Sequence, residues 1–326
     1  MSTIVKVAER AGVAVSTVSY VLSGKRPIGA ETRRRVLSAI DELGYVPNAS
    51  ARALRSTRTN VLALQGFSAL NDESIGQGLF IFAIADAARS RGQDVLLVPA
   101  ADGIAELTRL SRSSMVDAVM LMGILVRDRR VESLRRLRLP AALLGHPEDD
   151  PGVSWIDLDF DAAGRLSVEE LVGMGRRSLA YVGPPAEVFA AGAGYAVRTW
   201  RGAQAAAAAA GVTLQAQVSI TTSALRDQLE QIFAAAPRTD GLVLHFDFAA
   251  QQVLRTLRLM GKRVPDDVAV VVVGGWHHQQ TESPITFVGS TIDKIAGGAV
   301  DLAIEATAAA PPRSILLAPE VRASAP

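Results

Sequence analysis

Cysteine is missing from all 326 residues, which excludes a disulfide framework, a thiolate nucleophile and a Cys-ligated zinc. A reducing, cytoplasmic setting fits this absence. Long apolar runs are missing too: stretches such as Val268 to Val273 fall far short of the roughly 18 to 20 residues a membrane span needs. The N-terminus MSTIVKVAERAGVAVS carries Glu9 and no apolar core of the signal-peptide kind. No P-loop, no GxGxxG after a strand and no GxSxG elbow is present. The one adjacent pair of histidines, His277-His278, would point its side chains apart on a strand or turn, a poor start for a metal site. The expectation is a non-enzymatic protein with no cofactor, no metal and no membrane partner.

What is present is an uneven distribution of charge. The net charge is +1, yet residues 1–60 hold ten Lys or Arg against four acids, giving +6, and the other 266 residues carry −5. A basic head on a mildly acidic body suggests a polyanion-binding module joined to a unit with another task.

The head reads as three short helices. Thr3 caps the first, with Ile4, Val7, Ala8 and Ala11 at helical spacing, and Gly12 stops it. A second follows with Val15, Val18, Val21 and Leu22 on a stripe, ended by Ser23-Gly24 and Pro27. A third, from about Ala30, sets Val36, Leu37, Ile40 and Leu43 on one face and stops at Gly44. Two helices joined by a tight turn, with a third closing a small core, predict a helix-turn-helix. The segment ASARALRS after Pro47-Asn48 is helix-prone but too short to be stable alone.

Beyond it, strand-like runs at 61–64, 94–98, 118–122, 141–144, 178–182, 241–245 and 268–273 alternate with helical stretches at 78–91, 161–174, 198–210, 223–235 and 248–260. Such alternation predicts a parallel, doubly wound α/β sheet covered on both faces. The length suffices for two such lobes with a cleft between them. The Ala-rich stretch 203–210 is read as an ordinary, closely packed helix.

The head's run of AGV-x-x-x-TVS, the ETR helix start, LGY-x-PN and AR-x-LR resembles the head of the LacI/GalR repressors, and the body follows that family's layout. The resemblance implies a homodimer that binds a pseudo-palindromic double-stranded operator, with a small molecule held between two periplasmic-binding-protein-like lobes. It further implies domains at 1–47 (helix-turn-helix), 48–59 (hinge helix and linker), 60–159 with 291–312 (first lobe) and 160–290 with 313–326 (second lobe). A DNA-binding regulator without small-molecule control is the alternative.

By position, Val15, Ser16 and Tyr20 are candidates for reading base edges. Thr3, Thr17, Ser19, Ser23, Thr32, Tyr45 and Asn48 are candidates for phosphate contacts. Lys6 joins the phosphate set, because a cation in the first turn of a helix opposes the macrodipole unless an anion lies close by. Ala14 stands where the family usually has a capping Ser, a loss of about 1 kcal/mol. Within 48–56, Leu54 occupies the family's minor-groove wedge position, and Ala51, one turn earlier, is small enough for close approach of a second copy.

In the body the resemblance loosens. Sugar-binding members carry an Arg three residues before a Gly, an Asn-Asp pair and an Asp-Asp pair. Here Thr199 precedes Gly202 with Arg198 one position off, Phe246-Asp247 replaces the first pair and Gly274-Gly275 the second, and Ser290 stands where Gln is frequent. Vicinal hydroxyls need bidentate partners, so the expected effector is not a typical monosaccharide. The cleft could take a more apolar or aromatic ligand, with Phe67, Arg198, Phe246, Asp247, Trp276 and His277 near it. It could instead hold a sugar derivative through Arg198 and Asp247, or have no small ligand at all.

Overall fold

The computed structural model describes residues 3–23, 26–45, 58–66, 74–99, 103–219, 225–245, 250–276 and 284–324. The chain divides into two compact units, Met1–Thr59 and Asn60–Pro326.

The first unit contains α1 (Ile4–Ala11), α2 (Val15–Ser23) and α3 (Ala30–Leu43). Thr3 Oγ1 accepts the Lys6 amide at 3.4 Å, and Gly12 and Gly44 close α1 and α3 in the left-handed conformation at φ 63° and 55°. That backbone geometry suits glycine because it has no Cβ. Val7, Ala8, Ala11, Val18, Val21, Val36 and Ala39 form a separate small core, and Arg10 pairs with Glu42 across α1 and α3 at 2.5 Å. Two expected core residues are instead outside: Leu22 is 38% and Leu37 44% exposed. Leu37 follows Val36 by one residue, or about 100° of helix, so it leaves the i, i+3, i+4 stripe on which Val36, Ala39 and Ile40 lie. Leu22 sits at the margin of its stripe, beyond what so small a core covers.

The second unit holds two six-stranded sheets. The first contains β1 (Val61–Gln65), β2 (Asp94–Val98), β3 (Ala118–Leu121), β4 (Ala141–Leu144), β5 (Ser154–Leu158) and β11 (Ser314–Leu317), in the order β11-β5-β4-β3-β1-β2 and parallel throughout. The second contains β6 (Ser178–Gly183), β7 (Thr213–Ser219), β8 (Gly241–His245), β9 (Ala269–Trp276), β10 (Thr286–Thr291) and β12 (Glu320–Ala323), in the order β12-β10-β9-β8-β6-β7, with only β12 antiparallel. Each sheet separates two apolar clusters, so both faces are covered. This burial explains why the central strands read as unbroken apolar runs.

The chain passes between sheets after β5, after β10 and between β11 and β12. The third passage corrects the expected lobe boundary at 313. Ser314–Leu317 pairs with Trp155–Leu158 and belongs to the first lobe, and only Glu320–Ala323 joins the second. SILL is a short, half-exposed edge strand of four residues behind Pro311-Pro312. Strand β7, TLQAQVS, is another edge strand, and its alternation of polar and apolar residues leaves no continuous apolar run.

Helix α7 (Phe160–Gly173) and helix α9 (Gly194–Ala210) of the second lobe cross with almost no space between their backbones; α8 (Ala186–Ala190) lies between them in sequence. A Cβ on Gly202 would stand 2.0 Å from the Asp161 carbonyl oxygen, and one on Gly164 2.1 Å from that of Thr199. Ala203, Ala206 and Ala207 fill the rest of this face. Among the described residues no helix is long and apolar enough to cross a membrane.

Candidate nucleic-acid interface and interlobe site

On the head, α2 turns Ser16 and Tyr20 outward, whereas Val15 is half-buried against the small core. The Arg26 guanidinium lies 5.9 Å from the Tyr20 ring centroid, a cation–π distance that sets a positive charge beside an exposed aromatic. Sequence reasoning missed Arg26, which sits past the helix end. Thr17, Ser19, Thr32 and Tyr45 are half-buried, and Thr3 and Lys6 are exposed. Ser23 is the last residue of α2. The α2 start has no side-chain cap from Ala14, whose carbonyl receives the Thr17 and Val18 amides. Asn48, Ala51, Leu54, Phe67, Phe246, Asp247 and His277 lie outside the described residues.

In the body, the expected pocket residue Arg198 reaches from α9 across to the first lobe. Its Nη2 donates to the His146 carbonyl at 3.0 Å, and its Nη1 stands 3.8 Å from Asp157 Oδ2. The side chain is buried and Nη1 has no hydrogen-bond partner. Burial lowers its pKa, and Asp157 and then Asp161 oppose that shift. His146 Nδ1 donates to Asp157 Oδ2 at 2.8 Å, and its ring stacks on Trp155 with centroids 4.5 Å apart. Beside them Arg201 holds Asp161 through two hydrogen bonds, which raise its pKa. A cavity of about 250 Å³ is lined by Val126, His146, Glu148, Val197, Arg198 and Arg201.

Thr199, which takes the place of the family's arginine, points elsewhere: its hydroxyl donates to the Tyr195 carbonyl and it is fully buried against α7. Trp276 ends β9 opposite Thr291, next to the second passage between lobes. Gly275 explains the lost carboxylate pair in steric terms. A Cβ there would lie 3.0 Å from Ile292 Cγ1 and 3.2 Å from Phe80 Cζ, so the first-lobe Phe80 ring takes up space an aspartate would need. Phe80, His146 and Asp157 carried no local motif; each acquires its role from a neighbour distant in sequence.

Behind the site, Tyr195 and Phe160 pack with His245, and Tyr181 Oη shares a 2.7 Å hydrogen bond with His245 Nδ1. Burial drives the Tyr181 pKa up and the His245 pKa down to about 3. Between about pH 6.5 and 3 the unfolded chain therefore binds a proton at this histidine that the folded chain refuses, so stability falls as pH is lowered through that window, by up to about 1.4 kcal/mol per pH unit. Denaturant titrations at pH 4 to 6 should show a slope about one proton steeper for the wild type than for His245→Gln. Equal slopes would remove His245 as the cause.

Comparison with known proteins agrees with both halves. Residues 3–48 match the family described as bacterial regulatory proteins, lacI family, and residues 168–325 match the periplasmic binding protein-like domain. The HTH-type transcriptional regulator CelR of Thermobifida fusca is 32% identical over 281 residues, covering 82% of this chain and 81% of CelR. The HTH-type transcriptional repressor PurR of Erwinia tasmaniensis is 28% identical over 282 residues, covering 83% and 80%. Among solved structures, a CelR–cellobiose complex aligns with a TM-score of 0.67 at 25% identity over 99% of this chain and 98% of that one. The lac repressor dimer bound to operator and the anti-inducer ONPF matches in fold, with a TM-score of 0.79 at 21% identity over 98% and 97%. The chain belongs to the LacI family of DNA-binding transcriptional regulators, with a helix-turn-helix head and an effector-binding body of two α/β lobes.

Proposed function

We propose that the chain acts in the cytoplasm as a homodimeric repressor of a pseudo-palindromic operator, with Ser16 and Tyr20, and the exposed part of Val15, reading base edges in the major groove. The exposure of Ser16 and Tyr20 on α2, with Arg26 beside Tyr20, is the observation that carries this assignment. Thr3, Lys6, Thr17, Ser19, Ser23, Thr32, Tyr45 and Asn48 hold phosphates and fix register. A second copy covers a face of the first lobe, where Phe82 of the helix Ser74–Ser90 is 73% exposed and Leu97 of β2 46%. Lys6→Ala should reduce the slope of log affinity against log salt by about 0.9; an unchanged slope removes Lys6 from the phosphate set.

Leu54 and Ala51 are assigned to the paired hinge, with Leu54 wedged between central base pairs. Leu54→Ala should weaken operator binding about tenfold or more, because the kink that lets the duplex wrap more protein is lost. Wild-type affinity in that variant would end the assignment.

The effector is a small molecule other than an ordinary monosaccharide, held between the lobes near Arg198, with Phe160 and Tyr195 offering ring surfaces. Phe80 against Gly275, where sugar-binding members of the family carry a carboxylate, supports this reading. The likeness to the CelR–cellobiose complex favours a second one, a disaccharide whose rings stack on those aromatics. Isothermal titration of monosaccharides, disaccharides including cellobiose, and aromatic glycosides tests both. Saturable heat from a monosaccharide alone contradicts them, and no heat from any compound returns the chain to regulation without a small molecule.

A further inference from the structure

The body's charge of −5 is not spread evenly. Helices α5 (Gly103–Ser113) and α6 (Arg129–Leu137) cover one face of the first sheet, burying Leu107, Leu110, Val131 and Leu134 against its strands. Over 103–113 and 127–138 the sequence holds eight arginines against Glu106, Asp128 and Glu132, a surplus of +5 on an acidic body. Because the strands run parallel and the connections to β3 and β4 are short, both helices end beside the strand starts. The chain from the head enters at this same end, where the Asn60 amide donates to Asp117 Oδ2 at 2.8 Å, one residue before β3. Arg112, Arg135, Arg136 and Arg138 lie here, all exposed.

Two features set these four apart. Among the described residues none of them has a carboxylate within ion-pair distance, whereas at the ends of the helices on the opposite face Arg91 holds Asp301 and Arg313 holds Glu305. The helix macrodipole favours a cation in a last turn; it does not account for four. Arg138, moreover, closes α6 in the left-handed conformation at φ 51°, where Gly12, Gly44 and Gly211 close α1, α3 and α9. Glycine takes that conformation freely and a residue with a Cβ does not, so the cation stands there against the backbone preference.

We propose that Arg112, Arg135, Arg136 and Arg138 form a second DNA contact, holding the phosphate backbone of the duplex that flanks the operator. The occupant follows from charge and connection. Guanidinium groups pair bidentately with phosphate, neither helix carries an aromatic side chain of the kind that anchors protein interfaces, and the chain leading to the head leaves the lobe at this end. Such a contact adds affinity without reading sequence. It rests on DNA binding by the head and is independent of the effector.

The test uses the full chain and the sequence enriched from random DNA, as a duplex of the operator alone and as one extended at each end by about two helical turns, roughly 20 bp. Binding to the operator alone reports the head, so a failure there is distinct from a failure at the flanks. On the extended duplex the wild-type slope of log affinity against log salt should steepen by about 2 or more, at roughly 0.9 per phosphate. Arg112→Gln, Arg136→Gln and Arg138→Gln combined should remove most of that gain and leave binding to the operator alone unchanged. Arg138→Gly is the second variant. It should lose about 0.9 of the slope per protomer on the extended duplex while raising Tm by about 2 °C, a pairing that a purely structural residue would not show. Arg127→Gln with Arg129→Gln, at the opposite end of α6, should bind both duplexes as the wild type does. Equal wild-type slopes on the two duplexes overturn the proposal and leave the surface to an acidic protein partner. A triple variant that keeps the gain, or an equal loss on replacing Arg127 and Arg129, overturns it as well.

Discussion

Val18→Asp should abolish specific operator binding, lowering affinity at least about a thousandfold, to the level of non-specific DNA attraction, while the body remains folded. Val18 is fully buried, and its surroundings belong to the head alone: Val7, Ala8, Ala11, Val21, Val36 and Ala39. A unit of this size has a stability of only about 3 to 8 kcal/mol. An unpaired carboxylate in an apolar core costs several kcal/mol, on the order of the whole margin. With the head unfolded, Ser16 and Tyr20 no longer share a helix face and cannot address neighbouring base edges together. The body holds its own cores on both faces of each sheet, so its thermal transition should stay within a degree or so of wild type. A variant that keeps specific binding, or loses both transitions, contradicts the division into two units.

The second large effect is expected where α7 crosses α9. Gly202→Val should destabilise the body by about 3 kcal/mol or more, the upper range for overpacking, which corresponds to a fall in Tm of about 6 to 12 °C for a unit of this size. The added carbon would lie 2.0 Å from the Asp161 oxygen and 2.8 Å from its carbonyl carbon. Both atoms are backbone, so no rotamer change relieves the contact and the helices must separate. Separation also uncovers Ala203, Ala206 and Ala207. Gly173→Ala, at the end of the same α7 with nothing within 4 Å of its Cβ position, is the control and should be neutral or mildly stabilising, by up to about 1 kcal/mol. Equal effects at 173 and 202 would show that the close crossing is not what makes glycine necessary.

The same packing logic explains what could be read from the sequence. Strands such as Val268 to Val273 were legible because both faces of the sheet are buried. By contrast β7 (TLQAQVS) and β12 (EVRA) alternate polar and apolar residues with no continuous apolar run, and β11 (SILL) is only four residues long beside Pro311-Pro312. The head's helix ends followed directly from Thr3, Gly12 and Gly44. Leu37 neighbours the true stripe by one residue, a distinction only the three-dimensional core resolves. At the interlobe site, Arg198 is legible as one of two arginines, with Arg201, in an Ala-rich helix. Its partners are not: His146 is 52 residues away, and Asp157 belongs to a strand that otherwise reads as packing. The loss of the family's Asp-Asp pair was plain at Gly274-Gly275, whereas the reason, Phe80 from the other lobe, required the fold.

Selection of bound sequences from random double-stranded DNA, followed by footprinting on the enriched sequence, tests the central claim most directly. The account predicts one short pseudo-palindrome, protected symmetrically about its centre, with base preference in each half-site that changes when Ser16 or Tyr20 is replaced. Sequence-independent protection that lengthens with the DNA would contradict it.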